Sequence, residues 1–264
     1  MTFPDRDAPV ALVTGASGGI GRELADLLAA DGHDLVVVAR SEADLRELAA
    51  EVNDAYGTAV VVLVKDLAER GAPREIFEAL RDREIEVDVL VNNAGFATFG
   101  PFVDIDLDRE VDEIEVNVTA LTQLTKLFLP GMLDRKSGQI LNLGSTASFQ
   151  PGPLMAVYYA TKAYVLSFSE ALAEECRGTG VTVTVLCPGP TETGFQSRAD
   201  MEDSRLLEGG VMDARKVAKA GIRGMNAGKV VVVPGTQNWL GSVLVRFLPR
   251  WLVRRMVKVA QRPT

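Results

Sequence analysis

Seven short segments of the chain are almost continuously apolar and rich in β-branched residues. Polar and apolar positions do not alternate within them, which is typical of strands that are covered on both faces of a parallel sheet. These predicted strands span residues 10–13, 35–39, 59–64, 87–91, 139–143, 181–186 and 229–233.

Segments with helical periodicity lie between the predicted strands. They span residues 19–30, 42–55, 73–83, 107–133, 157–176 and 214–225. Strands that alternate with helices form right-handed crossovers, so we expect a mostly parallel seven-stranded sheet with helices on both faces. No linker rich in Pro, Gly or Ser divides the chain. We therefore predict one doubly wound α/β domain over residues 1–238 and a C-terminal helical appendage over residues 239–264.

Composition restricts the function and the setting. The 264 residues, 47% of them hydrophobic, suffice for one large core, and the net charge of −8 argues against a nucleic-acid partner. The two cysteines, Cys176 and Cys187, stand in apolar patterns, which fits two buried thiols in a reducing cytosol better than a disulfide framework. The chain has no run of eighteen apolar residues and no secretory stretch near Met1. We expect a cytoplasmic protein without a metal site.

The charge is unevenly distributed. Residues 239–264 carry six basic side chains and no acidic one, so residues 1–238 carry a net charge of −14. Within this C-terminal segment, Arg246, Arg250, Arg254 and Lys258 recur every four residues among many apolar ones. A basic amphipathic helix with tryptophan can lie on an anionic membrane. Packing on the protein's own domain or on a second subunit is the alternative, and the pattern favours packing.

A glycine-rich turn follows the first predicted strand. Residues 14–21 read T-G-A-S-G-G-I-G, and a predicted helix begins at once. Glycines let the backbone approach a pyrophosphate, and the helix N-terminus offers free N–H groups to phosphates. The spacing G-x-x-x-G-x-G departs from the G-x-G-x-x-G fingerprint, and an ordinary strand-to-helix turn is the alternative. The other strand ends also carry small or polar residues, which predicts an extended ligand across this edge of the sheet.

The end of the second predicted strand indicates which dinucleotide binds. An NAD site usually places an acid there for the ribose 2′-hydroxyl, whereas arginine accommodates a 2′-phosphate. This chain offers Arg40 and Ser41, while Asp34 lies at the opposite end of the strand and Asp44 lies inside the next helix. We therefore predict NADP(H). A solvated surface arginine in an NAD-using enzyme of the same fold is the alternative.

Tyr158 and Lys162 form a candidate catalytic pair. Four residues apart on a predicted helix, they share one face, and a nearby ammonium lowers the pKa of a phenol. Such a phenol can donate a proton to a ketone oxygen or accept one from an alcohol. Ser145, at the end of the fifth predicted strand, can bind the same oxygen, although a helix cap is its alternative role. Tyr159 is a poorer candidate because its i+4 partner is Ala163.

Taken together, these motifs resemble the short-chain dehydrogenase/reductase family. The match adds Asn92-Asn93-Ala94-Gly95, Asn117 and Pro188-Gly189 to the features above and runs in order from about residue 10 to 233. Many relatives carry a second serine where this chain has Gly144. The resemblance implies a Rossmann-type fold and hydride transfer at a nicotinamide ring.

The resemblance also implies a role for individual residues. Tyr158 would be the general acid/base, Lys162 would hold the ribose and lower the Tyr158 pKa, Ser145 would orient the carbonyl, and Asn117 would hold a water of the proton relay. Asp66 and Leu67 would border the adenine, and Pro188, Gly189 and Thr193 would flank the nicotinamide. The expected cofactor-binding residues are Gly15, Ser17, Gly19, Ile20, Gly21, Arg40, Asp66, Leu67, Asn93, Ala94, Gly95, Tyr158, Lys162, Pro188, Gly189, Thr191 and Thr193.

The substrate side is less defined by the sequence. Four phenylalanines on loops near the expected site line an apolar pocket or simply pack in the core: Phe96, Phe99, Phe102 and Phe195. The acidic segment 195–211 suits a substrate lid. We expect a homo-oligomeric NADP(H)-dependent carbonyl reductase or alcohol dehydrogenase with a small-molecule substrate. A non-catalytic NADP(H)-binding regulatory protein is the alternative, which the complete catalytic set disfavours.

Overall fold

The computed structural model describes residues 8–194 and 210–261. Its main sheet has seven parallel strands in the order β3-β2-β1-β4-β5-β6-β9. These strands are β1 (Val10–Thr14), β2 (Asp34–Ala39), β3 (Val60–Val64), β4 (Val89–Asn92), β5 (Gly138–Leu143), β6 (Val181–Leu186) and β9 (Val231–Val232). The doubly wound α/β architecture that the sequence predicts is confirmed.

The helices connect the strands and cover both faces of the sheet. Strands β1 to β4 are linked by α1 (Gly19–Ala30), α2 (Glu42–Tyr56) and α3 (Ala72–Arg81). The chain then continues through α4 (Leu107–Ile114), α5 (Leu121–Arg135), α6 (Ala156–Glu175) and α7 (Ala214–Asn226), and ends in α8 (Thr236–Leu244) and α9 (Arg250–Ala260).

Alternate residues of each central strand enter two separate cores, which explains why the strands are almost continuously apolar. In β1, Leu12 packs with Ile76 of α3 and Leu124 of α5 on one face of the sheet. Its neighbour Val13 packs with Leu24 of α1 and Val217 of α7 on the other face. Successive side chains of a strand point to opposite faces. In a strand that is covered on both faces, nearly every side chain is therefore buried, which favours apolar residues at most positions.

Three details differ from the sequence-based prediction. The predicted helix over 107–133 is interrupted by a π-helical turn, Glu115–Ala120, between α4 and α5. The last strand of the sheet has only two residues, Val231–Val232. A separate two-stranded sheet, β7 (Thr191–Glu192) with β8 (Met212–Asp213), was not predicted. The shortness of the last strand and the β7/β8 pair were missed because contacts between segments distant in sequence define these strands. The π-turn was missed because the helical periodicity of apolar residues continues through it.

The C-terminal segment packs on the domain through one side only. Val253 and Val257 of α9 are buried against Ala97, Met155 and Tyr159, which belong to the domain. The segment therefore packs on its own domain through the inner face of α9, as one of the two sequence-based alternatives predicts. Within residues 8–194 and 210–261, no helix has the length and apolar character needed to cross a bilayer.

Candidate active site

A cavity of about 650 Å³ opens at the carboxyl ends of the parallel strands, where a doubly wound sheet binds its ligands. Every residue of the expected cofactor-binding set lies in its wall, and so does Ser145. Asn117 is buried behind this wall. Phe195 and most of the predicted lid, 195–211, lie outside the described residues. The structure thus brings together residues that follow the ends of six different strands, β1 to β6.

The glycine-rich turn is a close-packed cradle. Gly15 has a φ of +66°, a left-handed conformation that favours glycine. A Cβ atom on Gly21 would lie 2.2 Å from the Gly15 carbonyl oxygen and 2.3 Å from Nδ2 of Asn93. A Cβ atom on Gly19 would lie 2.9 Å from Cγ2 of Thr193, which directly follows β7. Side chains at these positions would displace the turn, so the glycines allow it to sit against neighbouring backbone beside the N-terminus of α1.

Asn93 holds the turn in place from the neighbouring strand. Its Nδ2 donates to the carbonyl oxygens of Thr14 (2.9 Å) and Gly15 (3.2 Å). In return, Oγ1 of Thr14 accepts from the backbone N–H groups of Asn93 and Ala94, each at 3.0 Å. These buried bonds join the ends of β1 and β4. Asn93 of the Asn-Asn-Ala-Gly segment therefore stabilises the glycine-rich turn in addition to lining the cavity.

At the far end of the cavity, the tip of β2 presents a basic side chain. Arg40 and Ser41 line the cavity, and Asp66 lies 3.7 Å from the Arg40 guanidinium. The Ser41 side chain accepts from the backbone N–H of Asp44 and thereby caps α2. Asp34 lies at the opposite end of β2, where its Oδ1 accepts from the Ala59 N–H. The tip therefore offers a cation and a helix N-terminus to an anionic group.

At the other end, Ser145, Tyr158 and Lys162 meet in the cavity wall. A side-chain hydrogen bond joins Ser145 to Tyr158. Ser145 also accepts from the Ala147 N–H and caps the short 3₁₀-helix Thr146–Phe149, so it acts as a cap in this structure. Lys162 lies with its Nζ 5.8 Å from the centre of the Tyr158 ring and donates to the Leu143 carbonyl oxygen at 2.8 Å.

Burial controls the ionisation of this pair. It raises the pKa of Tyr158, and the hydrogen bond to Ser145 works in the opposite direction. Burial also lowers the pKa of Lys162 to about 8, against the opposing effects of Cys187 and Glu113. The phenol therefore retains its proton at neutral pH, which is the form that donates to a carbonyl oxygen. The hydrogen bond from Ser145 thus opposes part of the rise that burial causes in the Tyr158 pKa.

Asn117 lies in the π-helical turn between α4 and α5. Its Oδ1 accepts from the Phe96 N–H at 3.1 Å, while its Nδ2 donates to the Phe96 carbonyl oxygen and to Oγ1 of Thr161. The side chain thus fastens the loop after β4 to α6, directly behind Lys162. A π-turn inside a helix frequently marks a functional position, because it disturbs the regular backbone hydrogen bonds.

One buried acid near the pair was missed by sequence reasoning. Glu113 of α4 is fully buried, and its Oε2 accepts from the N–H (2.9 Å) and hydroxyl (3.0 Å) of Thr98. Its Oε1 has no hydrogen-bond partner among the described residues. Burial raises the pKa of Glu113 to about 7. No signal could have singled it out, because α4 contains several acids and only tertiary packing buries this one.

The phenylalanines divide between lining and packing. Phe96 lines the cavity, Phe99 packs in the cluster that contains Tyr159 and Val253, and Phe102 is exposed. Sequence reasoning did not identify Met155 and Gln150 as cavity residues. Tyr159 also lines the cavity, and its hydroxyl accepts from Nε2 of Gln261 at 2.8 Å. This bond ties the C-terminal segment to the substrate side of the cavity.

A family model described as short chain dehydrogenase matches residues 9–203, about three quarters of the chain and nearly all of the sheet. The chain belongs to the short-chain dehydrogenase family. This membership confirms the resemblance that the motifs indicated, and it covers the glycine-rich turn, Asn117, Ser145 and the Tyr158/Lys162 pair.

Similar proteins include reductases and dehydrogenases of this family. The very-long-chain 3-oxoacyl-CoA reductase of Anas platyrhynchos is 39% identical over 184 residues, which cover 67% of this chain and 58% of that protein. The chain thus spans less than two thirds of that relative's length. A short-chain dehydrogenase from Sphingobium yanoikuyae, solved in complex with NADPH, is 34% identical with a TM-score of 0.81, covering 90% of this chain and 94% of that one. A bulky-bulky ketone specific alcohol dehydrogenase from Comamonas testosteroni is 29% identical with a TM-score of 0.77, over 92% and 93% of the two chains.

Membership of the short-chain dehydrogenase family implies a nicotinamide dinucleotide, and the cavity wall of this member fits one. A Cβ atom on Gly95 would lie 2.9 Å from Oδ1 of Asn117 and 3.4 Å from Nζ of Lys162, so only glycine leaves the wall flat beside the lysine. The glycine turn and the N-terminus of α1 offer N–H groups to a pyrophosphate. Lys162 and Arg40, at opposite ends of the cavity, provide cations for the two ends of such a molecule.

Proposed function

We propose that this protein transfers a hydride between NADP(H) and a carbonyl or alcohol substrate, with Tyr158 as the general acid/base. The observation that carries the proposal is the grouping of Ser145, Tyr158 and Lys162 at one end of the cavity, opposite the basic tip of β2. A buried phenol that is hydrogen-bonded to Ser145 is suited to proton transfer. A protein that only binds a dinucleotide does not need this pair of Ser145 and Tyr158.

The catalytic residues divide the work of carbonyl reduction. When bound, NADPH supplies the hydride that is added to the carbonyl carbon. The Tyr158 hydroxyl gives its proton to the carbonyl oxygen, and the Ser145 hydroxyl donates a hydrogen bond to that same oxygen, which fixes its position. Lys162 holds the ribose on the nicotinamide side and keeps a positive charge near the phenolate that forms. In alcohol oxidation Tyr158 accepts the proton instead.

The proposed preference for NADP(H) rests on the tip of β2. Arg40 and the N-terminus of α2 both favour a 2′-phosphate at this end of the cavity, which Asp44 and Asp66 also line. Asp66 lies beside Arg40 and orients its guanidinium without occupying the β2 tip. Similarity to the NADPH-bound Sphingobium structure is consistent with this preference.

We also propose that the protein is a homo-oligomer in the cytosol. Leu107, Val111 and Ile114 form an exposed apolar stripe at i, i+4 and i+7 on α4, which suits burial against a second copy. Both cysteines are free and buried, as a reducing compartment allows.

Oxidation of NADPH against a panel of ketones, aldehydes and 3-oxoacyl thioesters tests the proposed activity. We expect turnover with at least one carbonyl class and a lower kcat/KM with NADH than with NADPH. Binding of NADPH without turnover of any carbonyl or alcohol would contradict the enzyme function and favour the regulatory alternative. Equal kcat/KM values with both cofactors would contradict only the NADP(H) preference.

A further inference from the structure

The described end of the chain exposes an unusual concentration of large apolar side chains. Phe247 is 80% exposed, and Trp239 and Trp251 are each 54% exposed. Others of this kind on the same segment are Leu240, Leu244, Leu248, Met256 and Val259. So many exposed large apolar side chains on one short segment are typical of a binding site. We call residues 239–261 the C-terminal surface.

The orientation of this surface is fixed by its inner side. Val253 and Val257 of α9 and Gln261, which caps its C-terminus, are buried against the domain, and Ser242 is the buried residue of α8. The Asn238 amide donates to the Pro234 carbonyl oxygen and packs against Gly189, which anchors the start of α8. Because one side of each helix packs on the domain, only the outward side is available to contact a partner.

The outward side of α9 is amphipathic. At about 100° per residue, Trp251, Leu252, Met256 and Val259 fall within an arc of about 140° that excludes the buried side. Next to that arc is a basic stripe of Arg250, Arg254 and Lys258, all exposed. Arg255 lies 5.5 Å over the Trp251 ring. Apolar and basic side chains thus share one surface.

The positive charge of the C-terminal surface favours an anionic bilayer over a second copy of the chain as its partner. Residues 239–264 contain six basic residues and no acidic residue. A second copy paired through the same surface about a twofold axis would bring these like charges together, which is unfavourable. An anionic bilayer instead offers negative headgroups to the arginines and acyl chains to the tryptophans and Phe247. The rest of the chain, with a net charge of −14, would be repelled by the same bilayer.

We propose that the C-terminal surface docks this protein on an anionic lipid bilayer. Trp239, Phe247 and Trp251 enter the interface, and the exposed basic side chains contact the headgroups. Through its inner side, α9 contacts Met155 and Tyr159, which line the cavity. Docking therefore places the substrate end of the cavity within about one helix diameter, roughly 10 Å, of the lipid. The docking itself does not depend on the proposed reaction.

The chain carries its own reporter for this proposal, because its only two tryptophans, Trp239 and Trp251, both lie on the C-terminal surface. Full-length protein is mixed with vesicles of phosphatidylcholine alone or with added phosphatidylserine, at low and at high salt. We expect co-sedimentation and a blue shift of tryptophan emission with the phosphatidylserine vesicles only. High salt should weaken both signals, since it screens the headgroup charge.

Two variants separate the contributions of charge and apolar insertion. Arg254→Glu combined with Lys258→Glu, and separately Phe247→Ser, should each lower vesicle affinity about tenfold or more. The matched controls change residues of the same type away from this surface: Arg46→Glu on α2 and Phe102→Ser before α4. Both control residues are exposed, and we expect both variants to bind vesicles like the wild type.

Two results would overturn the proposal. The first is the absence of co-sedimentation with phosphatidylserine vesicles at low salt for a folded wild-type chain. The second is a Phe247→Ser variant that leaves vesicle binding intact but lowers the mass measured by sedimentation velocity, which would assign the surface to contact between copies. Circular dichroism of each variant verifies that loss of binding is not loss of fold.

Discussion

Arg40 is the residue on which the proposed cofactor preference depends. It is exposed at the tip of β2, where a 2′-phosphate would be its main partner besides Asp66. We predict that Arg40→Asp weakens NADPH binding by about 1.5–3 kcal/mol, because a charge-assisted contact is lost, and leaves NADH binding nearly unchanged. Titration of both cofactors by fluorescence measures the difference.

Arg46 offers a matched control for that prediction. It lies on α2, six residues further along, and its guanidinium binds Glu42 at 2.6 Å rather than facing the cavity. Arg46→Asp changes the net charge by the same amount, so a similar loss of NADPH affinity in both variants would mean a long-range charge effect and would contradict a specific role for Arg40.

Gly144 shows how a structure explains a single departure from a family pattern. A Cβ atom at this position would lie 2.8 Å from Sγ of Cys187 and 2.9 Å from Cγ2 of Val185. The residue before Ser145 is therefore confined by β6, and the hydroxyl at this strand end comes from Ser145. The sequence showed the glycine but could not show what confines it, because Cys187 lies 43 positions away in the chain.

Among the secondary-structure elements, the strands and most helices could be predicted because the apolar residues that each one buries recur with a regular period within its own sequence. The interruption between α4 and α5 could not, since residues 107–133 keep their helical periodicity through the π-turn. The turn at Asn117 is stabilised instead by bonds to Phe96 and Thr161, which come from other elements. The same limit applies to Gln261, whose contact with Tyr159 spans 102 positions.

Burial of Glu113 in α4 makes stability depend on pH. Because its pKa is raised from 4.5 to about 7, the native state keeps a proton that the unfolded state has lost between these values. The contribution is complete below about pH 4.5 and is lost as the pH rises through 7. We predict that Glu113→Gln, which keeps an acceptor for Thr98, becomes progressively more stable relative to the wild type between pH 5 and 8.

Urea unfolding of both proteins at several pH values measures that difference. Glu47→Gln, which changes an exposed acid of α2, is the control and should show a difference independent of pH. A constant difference for Glu113→Gln over the same range would contradict a native state that retains the proton.

At the scale of the whole molecule, the C-terminal segment is both an attached element and an exposed surface. We predict that a chain ending at Gly241 still binds NADPH, because every cofactor-binding residue precedes that point, but unfolds at a lower temperature or changes its oligomeric state. Val257→Ala should lower the free energy of unfolding by roughly 2 kcal/mol, since its side chain is buried. Val259→Ala, an exposed change of the same size two positions on, should have little effect.

Differential scanning calorimetry and sedimentation velocity measure both properties. An unchanged melting temperature and oligomeric state in the shortened chain would mean that the contacts of Val253, Val257 and Gln261 contribute nothing to the fold.

The amphipathic pattern predicted this segment correctly as helical, yet the sequence could not decide which side packs. Only the position of Tyr159 and Met155 in the folded domain does so.

The proposed reaction depends on proton transfer by the Tyr158 hydroxyl, and two neighbouring tyrosines allow a direct test of that role. We predict that Tyr158→Phe abolishes NADPH-dependent turnover while NADPH affinity stays within about twofold of the wild type, because only a hydroxyl is removed. Tyr159→Phe removes a hydroxyl that accepts from Gln261 and should keep most of the activity. Single-turnover NADPH oxidation, with the affinity measured separately, distinguishes the two variants. An inactive Tyr159→Phe beside an active Tyr158→Phe would contradict the assignment.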